Sequence, residues 1–278
     1  MKQEDSGPDY FASMTDMMVG ILFIFVIMIA YFAFQINSSD SIPKPVHQVV
    51  VDENIKLKAE LEKLRRPNPL ETYITAGNTV RDDLVKKVIQ QLKANSVDAK
   101  SVQRGVVTIS GKGLFASGQS DLQSVPGAVE KVNAIASVLA NQTRCFITTN
   151  NETGAGKPCN PDAVFIEALF IEGHTDDIPV KAVLADGSKS NLELSSRRAT
   201  KTYQQAVAFR PDLVSFRNPA NQQALSVAAY GEQRPIASNL TTQGREDNRR
   251  IDIRFVMHVP KSQDDLKELQ QTYAVVTE

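Results

Sequence analysis

AVFIEALFIEGHTDD (163–177), followed by NLELSSRRATKTYQQAVAF (191–209), decides the fold of this chain. The first stretch is a run of apolar, β-branched and aromatic residues that ends in a polar cluster, which predicts a buried strand. The second carries apolar residues at helical spacing behind helix-start residue types, which predicts an amphipathic helix capped by Asn191 or Ser195. Working outward, RGVVTISGKGLF (104–115) reads as a strand and PGAVEKVNAIASVLA (126–140) as a helix. ALSVAAYG (224–231) and NRRIDIRFVM (248–257) read as two further strands. Strands separated by helices predict an α+β, split βαβ sandwich whose polar residues gather at the strand ends.

Toward the N-terminus the composition changes. MMVGILFIFVIMIAYFAF (17–34) is eighteen residues without a charge. About 20 such residues at a 1.5 Å rise cross a hydrocarbon core about 30 Å thick, so the segment predicts a single transmembrane helix. The first ten residues hold Lys2 against Glu4, Asp5 and Asp9, and no small-residue cleavage pattern follows the apolar run. The segment therefore reads as a retained anchor rather than a signal peptide. Asp16 stands at its first turn. One reading makes it an interfacial cap stabilised by the helix dipole. The other counts the span from Phe11, with Tyr10 and Phe11 as interface aromatics, and places Asp16 inside the membrane. An ionised carboxylate there costs about 2.5–3.5 kcal/mol on insertion scales, so such residues mark ion paths or polar partners. A single-span chain cannot shield that carboxylate alone, which implies a helical membrane partner.

Past the span, SSDSIPKP (38–45) reads as a short extended linker. VHQVVVDENIKLKAELEKLRR (46–66) then places Val50, Leu57 and Leu64 at one heptad position, with Asn54 and Leu61 at the other. A lone Asn at such a position favours a parallel dimer in register, and Glu53 and Glu60 would face Lys58 and Arg65 of the partner helix. A monomeric amphipathic helix fits the same short stretch. Val80, Leu84, Val85, Val88 and Leu92 give another amphipathic helix, of the kind that packs onto a domain.

The balance of 31 Lys+Arg against 32 Asp+Glu gives a net charge of −1, so no global basic field exists to attract nucleic acid. The sequence holds three His and no paired Cys–His spacing, and His174 reads as a hydrogen-bonded strand-end residue rather than a metal ligand. Neither a phosphate loop nor a nucleophile elbow is present, so catalysis is not expected and no cofactor is implied. Cys145 and Cys159 bracket a polar Asn/Gly-rich segment. Joined, they would close a loop of about 15 residues and add roughly 3 kcal/mol. Such a bond persists in an oxidising compartment, which argues for a periplasmic C-terminal part and a cytoplasmic N-terminus. Two free thiols in a cytosolic loop are the alternative.

Five ordered blocks carry a family resemblance: FASGQSDL (115–122), IEGHTDD (171–177), NLELSSRRA (191–199), YGEQRP (230–235) and GREDNRRIDI (244–253). Together they resemble OmpA-like peptidoglycan-binding domains. Placed behind one membrane helix with an acidic residue, they resemble MotB-type stator subunits, and DYFASMTDMMVGILFIFVIM (9–28) most resembles the B-subunit family of the Zorya anti-phage systems. The insert holding the two cysteines departs from the family pattern.

The resemblance implies an organisation in six parts. These are a cytoplasmic tail (1–9), a transmembrane helix (10–36), a linker with a short coiled coil (37–67), an amphipathic helical region (68–100), an OmpA-like domain (101–260) and a C-terminal tail (261–278). It implies that Asp176 and Arg198 bind the stem peptide of peptidoglycan, helped by Thr175, Asn191 and Ser195 and bordered by Asn248 and Arg250. An Arg forking onto a carboxylate and an Asp taking an ammonium suit that ligand. A plain capped helix with solvated arginines is the other reading of NLELSSRRA. The resemblance further implies a homodimer in the bacterial inner membrane, surrounded by lipid and by a ring of a MotA-like multi-span subunit, the A subunit in the Zorya systems. The ion passing Asp16 is expected to be a proton, although the residues leave proton and sodium open. The expected function is an ion-driven motor subunit of an anti-phage defence system. A flagellar stator subunit and a passive wall anchor without ion flux are the alternatives.

Overall fold

The computed structural model describes residues 10–39, 44–64, 68–149, 152–153 and 157–273, and divides into two units, Met1–Arg66 and Pro67–Glu278. In the first unit, helix α1 spans Tyr10–Ser39. Within it, Met17–Ile36 is a 20-residue apolar stretch long enough to cross a membrane, and its side chains are exposed. Its length, about 30 Å at 1.5 Å per residue, matches a hydrocarbon core. The backbone of Asp16 belongs to α1, and its side chain lies outside the described residues. Helix α2 spans Lys44–Leu64. The extended linker expected over 38–45 is therefore helical at both described ends, while 40–43 lies outside the described residues. Pro45 falls in the first turn of α2, where a missing N–H costs no hydrogen bond. Val50, Ile55, Leu57 and Leu61 are exposed along α2, and Asn54 donates to the Val50 carbonyl at 2.9 Å. Leu64 has no described side chain, and Arg65 lies outside the described residues.

The second unit begins with helix α3 (Pro69–Ala94), capped by Asn68, whose side chain accepts from the Leu70 amide at 3.1 Å. Strands β1 (Ala99–Lys100) and β2 (Val106–Ser110) follow, then helix α4 (Ala128–Thr143) and the small hairpin of β3 (Thr148–Thr149) and β4 (Glu152–Thr153). Strand β5 (Ile166–His174), helix α5 (Asn191–Phe209) and strand β6 (Leu225–Gly231) form a crossover, because β5 and β6 pair in parallel. A short helix α6 (Thr242–Asn248), strand β7 (Arg250–Met257) and helix α7 (Gln263–Tyr273) complete the unit. The five-stranded sheet has the order β1-β2-β7-β5-β6 and is otherwise antiparallel.

One sheet face carries the main core. Ile109, Leu169, Ile171, Ile251 and Ile253 meet Leu84, Val88 and Leu92 of α3, Ile135 and Leu139 of α4, and Ala199 and Ala206 of α5. Helix α3 is thus integral to the core of the compact unit Pro67–Glu278. A second cluster joins Tyr73, Val164, Phe165, Leu266 and Leu269, with Tyr273 4.9 Å from Phe165 between ring centres. The C-terminal helix is therefore packed, through Leu266 and Leu269 at i,i+3 spacing.

Two local features flank β5, one at each end. Gly173 of β5 lies against α5: a Cβ there would stand 2.1 Å from the Ser195 carbonyl oxygen. Gly173→Ala must push β5 and α5 apart. We expect it to destabilise the domain by about 2–3 kcal/mol, read as a lower thermal midpoint of the full-length protein. Cys145 and Cys159 form a disulfide with a Cα–Cα distance of 6.1 Å. Asn160 beside it donates to the Cys145 and Val164 carbonyls at 3.0 and 2.8 Å and accepts from the Val164 amide at 3.0 Å. Because Asn160 holds the same loop without the sulfurs, Cys145→Ser/Cys159→Ser should still fold. Its stability should fall by roughly 3 kcal/mol, and a reductant should lower the melting midpoint of wild type alone.

Candidate ligand-binding site

Alternation along the strands sends Glu172 and His174 of β5, and Arg250, Asp252 and Arg254 of β7, to the sheet face opposite the main core. Arg254 forks onto both Glu172 oxygens at 2.7 and 2.8 Å, and Arg250 donates to Asp252 at 2.9 Å. His174 Nε2 lies 3.3 Å from Asp252, its ring stacked on Tyr230 at 5.3 Å. Burial alone would raise the Asp252 carboxyl, but His174, Arg250 and Thr108 together hold it below the usual carboxylate range. Glu172, His174 and Asp252 have the donor types of a metal site. Each carboxylate, however, already faces a guanidinium, so the layer is electrically balanced without a dication.

The strand end beyond His174 is different. Thr175 donates its amide to the Gly231 carbonyl at 2.9 Å and its hydroxyl to the Asp176 carbonyl at 2.9 Å. Asp176 Oδ1 accepts the Ile178 amide at 3.3 Å, and Oδ2 pairs with Nη1 of Arg249, the residue between α6 and β7. Asn191, the first residue of α5, donates to the Asp176 and Ile178 carbonyls at 3.3 and 3.0 Å. It does not cap the helix: Ser190 does, accepting from the Glu193 amide at 3.2 Å, while Glu193 accepts from the Lys189 amide at 2.8 Å. Ser195 sits one turn on, accepting the Gly231 amide at 2.9 Å and donating to the Leu192 carbonyl at 2.8 Å.

Arg198 is buried, 3% exposed, on the next turn. Its Nε donates to the Gln119 carbonyl at 2.8 Å and its Nη2 to the Ala116 carbonyl at 3.1 Å, with the guanidinium over the Phe115 ring at 5.4 Å. The block FASGQSDL therefore serves as the cradle that fixes the plane of this guanidinium. Burial pushes the Arg198 pKa down to about 10, assisted by the positive charge of Arg249 and opposed by Asp176 and Asp186. Asp186, in the loop between β5 and α5, accepts from Ser120 at 2.5 Å and from the Ser188 amide at 2.9 Å. Burial raises the Asp186 carboxyl, but Ser120, Ser188 and Arg197 outweigh it and hold the group below its ordinary range. The loop is thus tied down onto the same cradle.

The structure brings Asp176, Asn191 and Arg198 into one locality. Two bordering residues behave otherwise. Asn248 is fully buried and spends its side chain on the 236–239 loop: Oδ1 accepts the Ile236 and Ala237 amides at 2.8 and 3.1 Å, and Nδ2 donates to Ala237 and Asn239 at 2.8 and 2.7 Å. Arg250 turns to the far sheet face, bonded to Asp252 and, at 3.1 Å, to the Arg234 carbonyl. The arginine that reaches Asp176 is its neighbour Arg249. Period-two alternation at NRR was the signal for this, since consecutive residues entering a strand point to opposite faces.

No family model matches the chain. It is similar to motility protein B of Bacillus subtilis (strain 168), 37% identical over 86 residues. The match covers 31% of this chain and 28% of that protein, so less than a third of either length is shared. Among solved structures, a MotB-like protein of Desulfovibrio vulgaris is similar with a TM-score of 0.46 and 18% identity, over 69% of this chain and 100% of that one. The cell wall anchor of the type VI secretion system of Pseudomonas aeruginosa is similar with a TM-score of 0.43 and 21% identity, over 64% and 99%.

Proposed function

We propose that this chain is the single-span, wall-anchored subunit of an ion-driven membrane motor of stator type. The observation that carries the wall-binding half is Arg198: a desolvated guanidinium fixed by two backbone carbonyls, within the electrostatic reach of Asp176, a carboxylate two residues past the end of β5. Such a group is oriented for a planar anion before any ligand arrives, which is what recognition of a peptide carboxylate needs. The ligand in this reading is the stem peptide of peptidoglycan. The domain holds the subunit still against the wall, since torque requires an immobile part.

The motor half rests on α1. It has the length and apolarity of one membrane span, with Asp16 near its N-terminal side. In the proposed cycle Asp16 alternates between carboxylate and carboxylic acid as protons pass, the neutral form relieving the cost of membrane burial. Two copies pair through α2, whose Val50, Leu57 and Leu61 are exposed, inside a ring of a MotA-like multi-span partner. The N-terminus is cytoplasmic, and the disulfide-bearing domain lies in the periplasm of a bacterial inner-membrane protein. The motor serves anti-phage defence, a role that rests on the resemblance of residues 9–28. The similarity to motility protein B favours a second reading, a flagellar stator subunit.

The direct test of wall binding is co-sedimentation of the full-length, detergent-solubilised protein with purified sacculi. Wild type should pellet with the wall. If it stays in the supernatant, the anchoring role is wrong.

A further inference from the structure

Strand β2 begins at Val106, opposite Arg254, so β7 runs past it without a β2 partner. The stretch from Arg254 to Val259 and the first half of α3 line a pocket of about 280 Å3. Arg81 of α3, Arg104 of the turn before β2, Arg254 of β7 and His258 all line it, and among the described residues no carboxylate does. The acids stand behind the bases. Asp82 Oδ1 accepts Nε and Nη2 of Arg81 at 3.2 and 3.0 Å, and its Oδ2 accepts Nε and Nη2 of Arg104 at 3.0 and 2.8 Å. Glu172 takes the same edge of Arg254, and Glu167 takes His258 Nδ1 at 2.7 Å. Each of the three guanidiniums thus spends its Nε–Nη2 edge on a carboxylate, which leaves Nη1 of each without a hydrogen-bond partner among the described residues. Two carboxylates, Asp82 and Glu172, serve three arginines, so the pocket carries one guanidinium charge in excess.

We infer that this pocket binds a phosphate group, free or carried as a small diester headgroup, between Arg81, Arg104 and Arg254, and that the bound group clamps α3 to the sheet. None of these residues belongs to the strand end assigned to the wall ligand. The three arginines come from three separate elements, and their planes are fixed before a ligand arrives. A phosphate offers oxygens in several directions and can take donors from all three, whereas the two oxygens of a carboxylate share one plane. The volume lies at the small end of ligand pockets, which run about 300–1,000 Å3, and so suits a headgroup-sized anion. Gly105 makes the approach of Arg81 possible: its φ is +77°, and a Cβ there would stand 2.8 Å from Arg81 Cδ. The Gly105 carbonyl accepts the Phe255 amide at 2.9 Å, which ties the Arg104 turn to β7.

The experiment titrates the full-length protein, in detergent and phosphate-free buffer, with inorganic phosphate and with glycerophosphoglycerol, a diester headgroup without acyl chains. Sodium chloride at matched ionic strength is the control, and calorimetric affinity and thermal midpoint are the readouts. At least one phosphate probe should bind saturably and raise the midpoint above the chloride control, because a ligand of the folded state stabilises it. Tighter binding of inorganic phosphate identifies free phosphate as the source, and tighter binding of the diester identifies a headgroup. Arg104→Gln should fold normally, since Arg104 is 69% exposed and Asp82 keeps Arg81, and should bind about tenfold more weakly, the size of one lost charge-assisted bond. Arg210→Gln removes an equal charge from the Asp212 pair, outside the pocket, and should bind as wild type does. If neither probe exceeds chloride, if Arg104→Gln binds as wild type does, or if Arg210→Gln loses as much as Arg104→Gln, the phosphate site is overturned.

Discussion

Co-expressed with wild type at equal levels, Asp16→Asn should poison the motor. In a two-fold dimer assembled at random, about one quarter of the assemblies carry two wild-type chains, and only these should work. Asn is close in size to Asp and cannot ionise, so insertion into the membrane is unimpaired or improved, because the cost of burying an ionised carboxylate is replaced by the smaller cost of burying a neutral amide. The variant should therefore reach wild-type membrane levels, bind sacculi like wild type, and still fail to do work. Output near one quarter, measured as protection against phage, supports a dimer with an obligatory titrating carboxylate. Output that stays at one half or above argues that each chain acts alone, or that Asp16 is an interfacial cap.

The second large effect belongs to Arg198. Truncating a buried, hydrogen-bonded charge at an interface costs about 2–5 kcal/mol, so Arg198→Ala should weaken binding of sacculi by roughly thirtyfold or more. The variant also releases the Ala116 and Gln119 carbonyls and the Phe115 ring, and its thermal midpoint should fall as well. Arg198→Lys separates the two effects. Lys restores the charge and cannot donate in the planar fork that reaches both carbonyls and a ligand together. It should regain stability more than it regains binding. A lysine variant that binds as wild type does would mean that only the charge matters there.

Much of the architecture was readable from periodicity. Helix α5 runs over Asn191–Phe209, the span its apolar spacing predicts, and β5, β6 and β7 fall within the apolar runs read as strands. What escaped had weak or misleading patterns. Strand β1 has two residues, too few to alternate. Helix α6, TQGREDN, has no apolar residue and is held by the Thr241 cap and by Asn248 within the chain's own loops. Helix α3 was legible as amphipathic, while its membership of the main core depends on contacts with strands far along the chain. Within the candidate site, spacing placed Asp176 at a strand end and Arg198 on the helix that follows. It did not identify Arg249, because the choice between two adjacent arginines depends on the residue at which β7 starts. Nor did it show that Asn248 would be consumed by the 236–239 loop, a matter of which buried amides lack other acceptors.

The central claim is that ion-driven work and attachment to the wall are both required of this one chain. It is tested most directly by phage plaquing on cells carrying the complete operon, comparing wild type, Asp16→Asn and Asp176→Ala at matched membrane levels. The account predicts protection by wild type and none by either variant. Protection that survives Asp16→Asn and is lost with Asp176→Ala would contradict it, and would make the protein a passive anchor.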